Sequence, residues 1–407
     1  MRVAAVVLGI WHSTFGIAGA QPRLDGYATL MFDHLPTIEP SATELRTRIF
    51  GELSVRTSSV VELTSGYADG LAADRGASVY DAIVRAHEVL VTLTFDRADL
   101  QAGLGRVVWG RLDELPPGDV INPLDVSRFF FEGRSEARLP VSLLRGRWFI
   151  TEGAVLEGFY VPLFRRGRFD QLDEPTSLFN LTAGLTGCLA IEICPEPGIV
   201  SAEPAATFQN AQGGVRFSGT LRRLDYAVSA YRGFRPFGVV APELEGEAFR
   251  LVERFPRFTM VSGDFESVRG PWAFRGEAAL FDEADDPRAR AISGVPGLAW
   301  DAGFAVDRKT GAYRLSGTVL VSRGSQTTTN FIIGTDRSFA QERYTTRTFG
   351  VINVNDGSAL VRNITTMTVR DNVALEGSVG WFFGESADTI GRFADRDFIY
   401  ARLKLYF

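Results

Sequence analysis

The sequence is short of the residues that most hydrolases and metal sites need. Its 407 residues include three His and two Cys, and if the N-terminal segment is removed, only His34 and His87 remain. So few histidines leave too little for a His-based triad or a His zinc site. No GxSxG, HExxH, phosphate-loop or CxxCH motif occurs. We therefore expect no enzyme, no metal and no cofactor.

An excess of positive charge is also absent. The chain carries 43 Lys and Arg against 49 Asp and Glu, a formal charge of −6. Proteins that neutralise nucleic-acid phosphates carry the opposite balance. The composition predicts no nucleic-acid partner.

Long apolar runs are missing beyond residue 21, so no transmembrane helix is expected there. The first residues differ from the rest, with a positive Met1-Arg2, an apolar run over 3–10 and small residues at Ala18-Gly19-Ala20. This pattern predicts a signal peptide over residues 1–20, cleaved near Ala20. The alternative is a membrane anchor, but polar residues from His12 onward interrupt the apolar run. Any membrane role of the mature chain must come from strands.

Strand patterns fill the remainder, with apolar and polar residues alternating over about ten positions at a time. From Glu44, one face carries Leu45, Ile49 and Leu53 and the other carries Arg46 and Arg48. One face suits lipid and the other suits water. A soluble β-sandwich alternates as well, so alternation alone does not separate the two.

The spacing of the connections favours a barrel, because short and long ones alternate. The short ones lie near 56–59, 96–99, 152–153, 223, 269–270, 309–311 and 370–372, and the long ones near 70–86, 109–140, 164–212, 234–251, 283–297, 323–357 and 384–395. Short periplasmic turns and long external loops are typical of outer-membrane barrels. We predict a single all-β domain over 21–407, a transmembrane antiparallel up-and-down barrel of about sixteen strands, with fourteen or eighteen left open.

The last strand gives a further signal. Leu403, Leu405 and the terminal Phe407 share one face of it. An aromatic end with apolar residues at alternate positions resembles the C-terminal strand that the assembly machinery of Gram-negative outer membranes recognises. This resemblance implies an integral outer-membrane protein, with lipid and that machinery as partners.

Residues 88–163 carry a second resemblance. GLGRVVWG ends at Gly110, GDVINPLDVSRFF contains Asn122-Pro123 and Asp125, and a Leu-Pro follows at 139–140. This order resembles a family of proteobacterial outer-membrane barrels known as a domain of unknown function, with Trp-Gly before an Asn-Pro-x-Asp loop. Gly105-Arg106-Val107 departs from the Gly-Arg-Gln expected there. The resemblance implies a porin-like or transport-linked protein, in some members for apolar substrates.

The loop over 109–140 is long enough to fold inward and narrow a pore. It carries charges of both signs, which either create a transverse field that selects solutes or pair with the barrel and hold the loop against the wall. The constriction candidates are Arg111, Asp113, Glu114, Asp119, Asn122, Asp125, Arg128, Arg134 and Arg138.

The barrel wall is rich in arginine, since all but two of the 43 basic residues are Arg. Guanidinium groups on the water face favour anions or acidic amphiphiles. Acidic residues on the same face, such as Glu44, Asp264 and Glu277, favour internal pairing instead. The lumen-wall candidates are Arg46, Arg48, Arg145, Arg147, Arg216 and Arg314.

Two cysteines, Cys188 and Cys194, lie in the longest connection. In an exported chain such a pair predicts a disulfide that closes a small external loop.

These patterns together predict an outer-membrane channel that passes small-molecule solutes through its lumen. A hydrophobic-compound transporter, suggested by Phe129-Phe130-Phe131 in the loop, is the first alternative. A barrel that conducts nothing and serves as a scaffold for a periplasmic partner is the second. Whether the chain forms a homo-oligomer stays open.

Overall fold

The computed structural model describes residues 21–126, 131–168, 200–245, 248–283, 297–324 and 326–407, and these form an antiparallel barrel. The strands are β1 (Gln21–Leu35), β2 (Ala42–Arg56), β3 (Val60–Asp74), β4 (Ser78–Phe95), β5 (Ala98–Gly105), β6 (Val141–Thr151), β7 (Ala154–Val161), β8 (Val200–Ala202), β9 (Gln212–Leu221), β10 (Leu224–Phe234), β11 (Val239–Glu245), β12 (Ala248–Arg254), β13 (Arg257–Arg269), β14 (Trp272–Asp282), β15 (Leu298–Thr310), β16 (Tyr313–Arg323), β17 (Thr327–Phe339), β18 (Tyr344–Asn353), β19 (Ala359–Arg370), β20 (Val373–Phe383) and β21 (Phe398–Tyr406). The elements of the described residues also include the α-helical turn α1 (Arg134–Ala137) and the 3-10 turns Phe208–Asn210 and Gly391–Phe393.

Eighteen of these strands close into one ring, and β8, β11 and β12 form a separate small sheet. Strand β1 pairs with both β2 and β21. Beyond the ladder, the Gly26 and Phe407 backbones exchange hydrogen bonds of 2.9 and 3.0 Å. Closure of this kind removes the unpaired edges that an open sheet would present.

The alternation along each strand sorts side chains between the two faces of the wall, because successive residues point to opposite sides. On β2, Leu45 is 41% and Ile49 60% exposed on the outer surface, whereas Glu44 and Arg48 are buried inside. The same division holds on β21, where Ile399 and Leu405 are exposed and Phe398 and Tyr400 are buried. The predicted apolar exterior and charged interior are confirmed.

The predicted all-β barrel is confirmed, with two strands more than the central prediction of sixteen. The difference lies in 323–357, expected as one long connection, which contains the hairpin of β17 and β18. Its turn places Ala340, Gln341 and Glu342 in left-handed backbone conformations, with φ of 53°, 57° and 64°. None of these residues is the Gly, Asn or Asp that normally marks such a turn, so the turn left no signal in the sequence.

A second difference concerns 70–86, also expected as a long connection. Strand β3 continues to Asp74 and β4 begins at Ser78, so this hairpin extends with a connection of only three residues, 75–77. The residues there alternate as the rest of both strands do, and Gly76 adopts a positive φ of 81° in the turn.

In the described part of the chain, no helix has the length and apolar character needed to cross a membrane. Residues 1–20, with Ala20, and the cysteines Cys188 and Cys194 lie outside the described residues, as does Arg128.

Candidate functional site: an inner loop that spans the barrel

The segment 106–140 between β5 and β6, called the inner loop below, contacts side chains on the inner wall. It starts three residues before the predicted 109–140, because β5 ends at Gly105. Residues 127–130 within it are not described.

The base of the inner loop is held by Asn122. Its buried side chain accepts a hydrogen bond from the Val107 backbone at 2.7 Å and donates one to the Leu139 carbonyl at 2.8 Å. The Leu139 N–H in turn reaches the Pro123 carbonyl at 2.8 Å. Asn122 therefore joins the half of the loop that leaves β5, called the outgoing half, to the half that leads back to β6, called the returning half.

A charged cluster stiffens the returning half. The Asp119 carboxylate accepts hydrogen bonds from Arg134 at 2.9 Å and from Arg138 at 2.6 Å. Asp125 is also buried and lies 3.9 Å from Arg168. These predicted constriction residues pair within the loop or at its base, and they set its shape.

Apolar packing ties the loop to the wall above its base. Trp109 is almost fully buried, stands edge-on to Phe159 at 5.2 Å and donates a hydrogen bond of 2.8 Å to Glu157. Val107 and Ile121 join the same buried cluster. The cost of burying the Trp109 indole N–H is offset by that hydrogen bond.

One carboxylate of the wall shapes the tip of the outgoing half. Glu277 on β14 accepts backbone hydrogen bonds from Arg111 at 2.9 Å, Leu112 at 3.4 Å and Gly118 at 2.5 Å. A carboxylate that receives several N–H groups from one segment fixes the curvature of that segment. Gly110 enters the turn with φ of 94°, and a Cβ there would lie 2.7 Å from the Glu277 carboxylate.

Ion pairs continue this attachment along β13 and β14. Arg111 reaches Asp264 at 2.7 Å and Glu266 at 3.0 Å. Arg275 hydrogen-bonds Asp113 at 2.6 Å and also contacts Asp307. Charges of opposite sign therefore pair between loop and wall, as one of the two sequence interpretations expected.

Asp113 has an altered proton affinity. Partial burial alone would raise the pKa of Asp113, but the hydrogen bond and charge of Arg275, with Arg314 and Arg347, outweigh it and lower the pKa below its ordinary 3.8. Arg314 lies 3.3 Å away. Asp113 is therefore ionised at neutral pH.

Glu114 extends the contacts to the far side of the barrel. Its carboxylate accepts a hydrogen bond of 2.5 Å from Arg347 on β18. Strand β18 is the ninth strand from β6 in either direction around the ring. The inner loop thus crosses the full width of the lumen.

The returning half attaches to a third part of the wall. The Phe131 ring packs 5.2 Å from Phe398, and its carbonyl accepts a hydrogen bond of 3.1 Å from Arg362 on β19. Glu132 pairs with Arg48 on β2 at 3.0 Å. Of the three successive phenylalanines, the described one secures the loop to the wall.

The remaining wall arginines also pair with carboxylates. Arg46 contacts Glu44 and lies 3.1 Å from Asp33, and Arg216 lies 2.7 Å from Asp264. Of the other lumen-wall candidates, Arg145 pairs with Glu157 and Arg147 pairs with Asp99. The arginine excess of the wall is thereby compensated locally.

An open space remains between the inner loop and β18–β21. This cavity has a volume of about 360 Å³. Leu115, Phe349, Val351, Leu360 and Ile364 form its apolar surface, and its charged groups are Glu114, Glu132, Arg347, Arg362, Glu376 and Arg402. Arg402 and Glu376 pair at 2.5 Å. The cavity therefore offers a polar edge beside an apolar wall.

Sequence reasoning did not identify Arg347 and Glu132. Arg347 lies within 323–357, which the sequence predicts to be one long connection, and a residue in a connection has no predicted side of the wall. Glu132 follows the Phe run and has no motif of its own. The inward position of Glu277 was predicted from alternation, but its backbone contacts depend on the folded loop.

Among the described residues, no group of three or more His, Cys, Asp or Glu side chains is arranged to hold a metal ion. Several charged groups of the site form Arg–carboxylate pairs, whereas Glu277 accepts backbone N–H groups and Arg362 donates to the Phe131 carbonyl.

Comparison with known proteins gives fold relatives only. No protein-family model matches the sequence, and no curated protein matches it. Among solved structures, the chain is similar to OccAB1 of Acinetobacter baumannii, with a TM-score of 0.56 and 10% identity over 96% of this chain and 98% of that one. It is also similar to OccK5 (OpdH) of Pseudomonas aeruginosa, with a TM-score of 0.55 and 8% identity over 96% and 98%. A third similar structure is OccK2 (OpdF) of Pseudomonas aeruginosa in complex with glucuronate, with a TM-score of 0.56 and 10% identity over 95% and 97%. The chain shares the barrel fold of these proteins.

Proposed function

We propose that this protein is an outer-membrane channel that passes small solutes through its lumen, constricted by the inner loop. The observation that carries the proposal is the pair of Glu114 and Arg347, which joins the loop to the wall opposite its root. A closed barrel with a charged interior and an apolar exterior suits a water-filled passage through lipid. The similar OccK2 structure in complex with glucuronate supports a small solute as the cargo.

The route that we propose is the cavity between the inner loop and β18–β21. Elsewhere the loop attaches to β2, β13 and β14 by ion pairs and backbone hydrogen bonds. In the cavity, Phe349 and Val351 face loop residues across an open space. A solute passing there meets Arg and Glu side chains on one edge and apolar groups on the other.

The apolar part of this route favours the hydrophobic-compound transporter as the second candidate. Leu115, Leu360 and Ile364 line the space together with Phe393. An aqueous channel conducts ions steadily, whereas a route for apolar compounds conducts few ions and binds its cargo. Single-channel conductance therefore distinguishes an aqueous channel from a hydrophobic-compound transporter.

The remaining features belong to the same proposal. We infer export by residues 1–20 with cleavage near Ala20, recognition of Leu403, Leu405 and Phe407 by the assembly machinery, and no catalytic activity. The resemblance of residues 88–163 to the porin-like family of unknown function supports a role in transport.

The test is single-channel recording of the refolded protein in a planar bilayer, with a variant that lacks residues 116–136 beside the wild type. The proposal predicts steady steps in the wild type and larger steps in the deletion. A silent wild type with a conducting deletion would favour the hydrophobic-compound transporter. Silence in both, with a folded barrel shown by its heat-dependent migration in gels, would favour the scaffold.

A further inference from the structure

The outer wall carries a groove at the end of the barrel where the short connections lie. It has a volume of about 720 Å³, within the roughly 300–1,000 Å³ of small-molecule sites. Its apolar sides are Leu221 and Leu224 from β9 and β10, and Phe265 and Phe274 from β13 and β14. These side chains belong to the outward face of the strands, so the groove is separate from the lumen.

The groove exists because two neighbouring aromatic side chains lean apart. Tyr226 on β10 and Phe265 on β13 are direct cross-strand partners. Tyr226 lies over Gly219 on β9, where a Cβ would be 2.8 Å from its hydroxyl oxygen. Phe265 lies over Gly276 on β14, where a Cβ would be 2.3 Å from its ring. The two glycines make room for the rings, and the space between β10 and β13 stays open.

A small residue forms the floor of this space. Ser267 pairs with Leu224 on one side and with Phe274 on the other. Its short side chain stands between two large apolar ones, so the groove continues over Ser267. The floor, like the sides, faces outward.

Three arginines surround the mouth of the groove. Arg222 and Arg223 form the connection between β9 and β10, and Arg269 ends β13. All three are exposed, and none of their side chains hydrogen-bonds or forms an ion pair with any described residue. Three uncompensated guanidinium groups beside an apolar groove contrast with the paired arginines of the lumen.

We propose that this groove binds an anionic phospholipid of the leaflet that faces the short connections. Its acyl chain lies along Ser267 between the apolar sides, and its phosphate binds Arg222, Arg223 and Arg269. Guanidinium groups bind phosphate oxygens in pairs, and basic clusters near a membrane surface attract anionic headgroups. The inference rests on the proposed outer-membrane location, in which short connections are periplasmic.

The experiment is native mass spectrometry of the full-length protein purified from membranes in detergent. The protein is titrated with an equimolar mixture of phosphatidylglycerol and phosphatidylethanolamine. We expect at least one phosphatidylglycerol to be retained, with a preference of about tenfold or more, since each Arg near a headgroup contributes about 1 kcal/mol. Equal retention of the two lipids would overturn the proposal.

Two variants test the two parts of the site. The triple variant Arg222→Gln, Arg223→Gln and Arg269→Gln should lose the headgroup preference, and Ser267→Trp should lose the bound lipid while all three arginines remain. The control replaces Arg56, Arg97 and Arg370, which lie at other short connections and are also exposed, and it should retain the wild-type preference. If the first triple variant keeps the preference, or the control loses it equally, the assignment is wrong.

A competitor distinguishes a lipid from free phosphate. Glycerol phosphate at millimolar concentration should not displace the bound lipid, because it lacks the chain that fills the groove, and displacement by it would overturn the lipid assignment. Heat-dependent gel migration confirms that each variant is folded. Conductance of the same preparations tests the channel separately, so lipid retention and channel activity can fail independently.

Discussion

Glu114 of the inner loop lies 2.5 Å from Arg347 of β18, although the loop is rooted nine strands away around the ring. This pair joins opposite sides of the lumen. The Arg347 side chain is 42% exposed, so its contribution to the free energy of unfolding is expected to be about 0–1 kcal/mol. Its expected role is to hold the loop in place.

Replacing Glu114 by Gln should therefore loosen the inner loop without unfolding the barrel. We expect larger or noisier single-channel currents and an unfolding midpoint close to that of the wild type. The matched control is Glu342→Gln, an exposed residue in the turn of the β17–β18 hairpin. If the currents of Glu114→Gln and the control do not differ, the pair does not restrain the loop.

Glu277→Gln should affect the loop more strongly. The carboxylate accepts three backbone hydrogen bonds, and an amide offers one acceptor oxygen and an unsuitable NH₂ group in its place. Bonds to a charged acceptor contribute about 1.5–3 kcal/mol each, so hydrogen exchange over residues 110–118 should accelerate by about tenfold or more. The exposed wall carboxylate Glu62 provides the control, as Glu62→Gln. Unchanged exchange in the Glu277 variant would contradict this assignment.

Asn122→Ala should destabilise the base of the loop. It removes an acceptor from the Val107 N–H and a donor from the Leu139 carbonyl, both in a buried region. Leaving buried polar groups without partners costs about 1–3 kcal/mol. The emission of Trp109, which is buried beside this base, should shift to longer wavelength in a variant that keeps only this Trp. Asn372→Ala at an exposed turn is the control, and an equal shift there would refute the role of Asn122.

The lowered pKa of Asp113 determines the pH below which its carboxylate is protonated and its ion pair with Arg275 is lost. A group whose pKa is lower in the folded protein stabilises it above the ordinary value and loses that contribution as the pH falls through the folded pKa. Asp113→Asn should show a larger conductance than the wild type at pH 7, and this difference should persist down to the ordinary 3.8 and disappear only below it. Loss of the difference between pH 6 and 5 would contradict the prediction.

The turn at Ala340, Gln341 and Glu342 predicts a stabilising substitution. Each holds a left-handed conformation that costs a non-glycine residue about 1 kcal/mol. Gln341→Gly should raise the thermal midpoint slightly. Glu152→Gly, at a short connection without a positive φ, should leave the midpoint unchanged or lower it. A higher thermal midpoint for Glu152→Gly than for Gln341→Gly would show that the left-handed residues do not destabilise the hairpin.

The sequence was sufficient to predict the class of fold because period-two alternation directly reports which side chains face lipid. Leu45 and Arg48 on β2 are an example, and both lie where the pattern placed them. The hairpin of β17 and β18 was missed because Gln341 and its neighbours adopt a glycine-like turn without glycine. Because Arg347 lies on β18 of that hairpin, the sequence did not predict its inward position either.

The candidate site was predicted only in part, because its contacts join residues far apart in the chain. Asp113 and Glu114 were recognised as charged loop residues, but their partners Arg275 and Arg347 depend on the path of the loop. Alternation assigns a side chain to the lumen, but it determines neither the position of that side chain along the barrel axis nor its partner. Both depend on the position of the loop within the ring.

The most direct test of the account is whether solutes pass between the inner loop and β18–β21. Val351→Cys places a thiol in that cavity, and Ile352→Cys, the next residue, places one on the outer surface. A bulky water-soluble thiol reagent added during single-channel recording should reduce the current of Val351→Cys and leave that of Ile352→Cys unchanged. An unchanged current in a Val351→Cys channel shown by mass to be modified would contradict the proposed route.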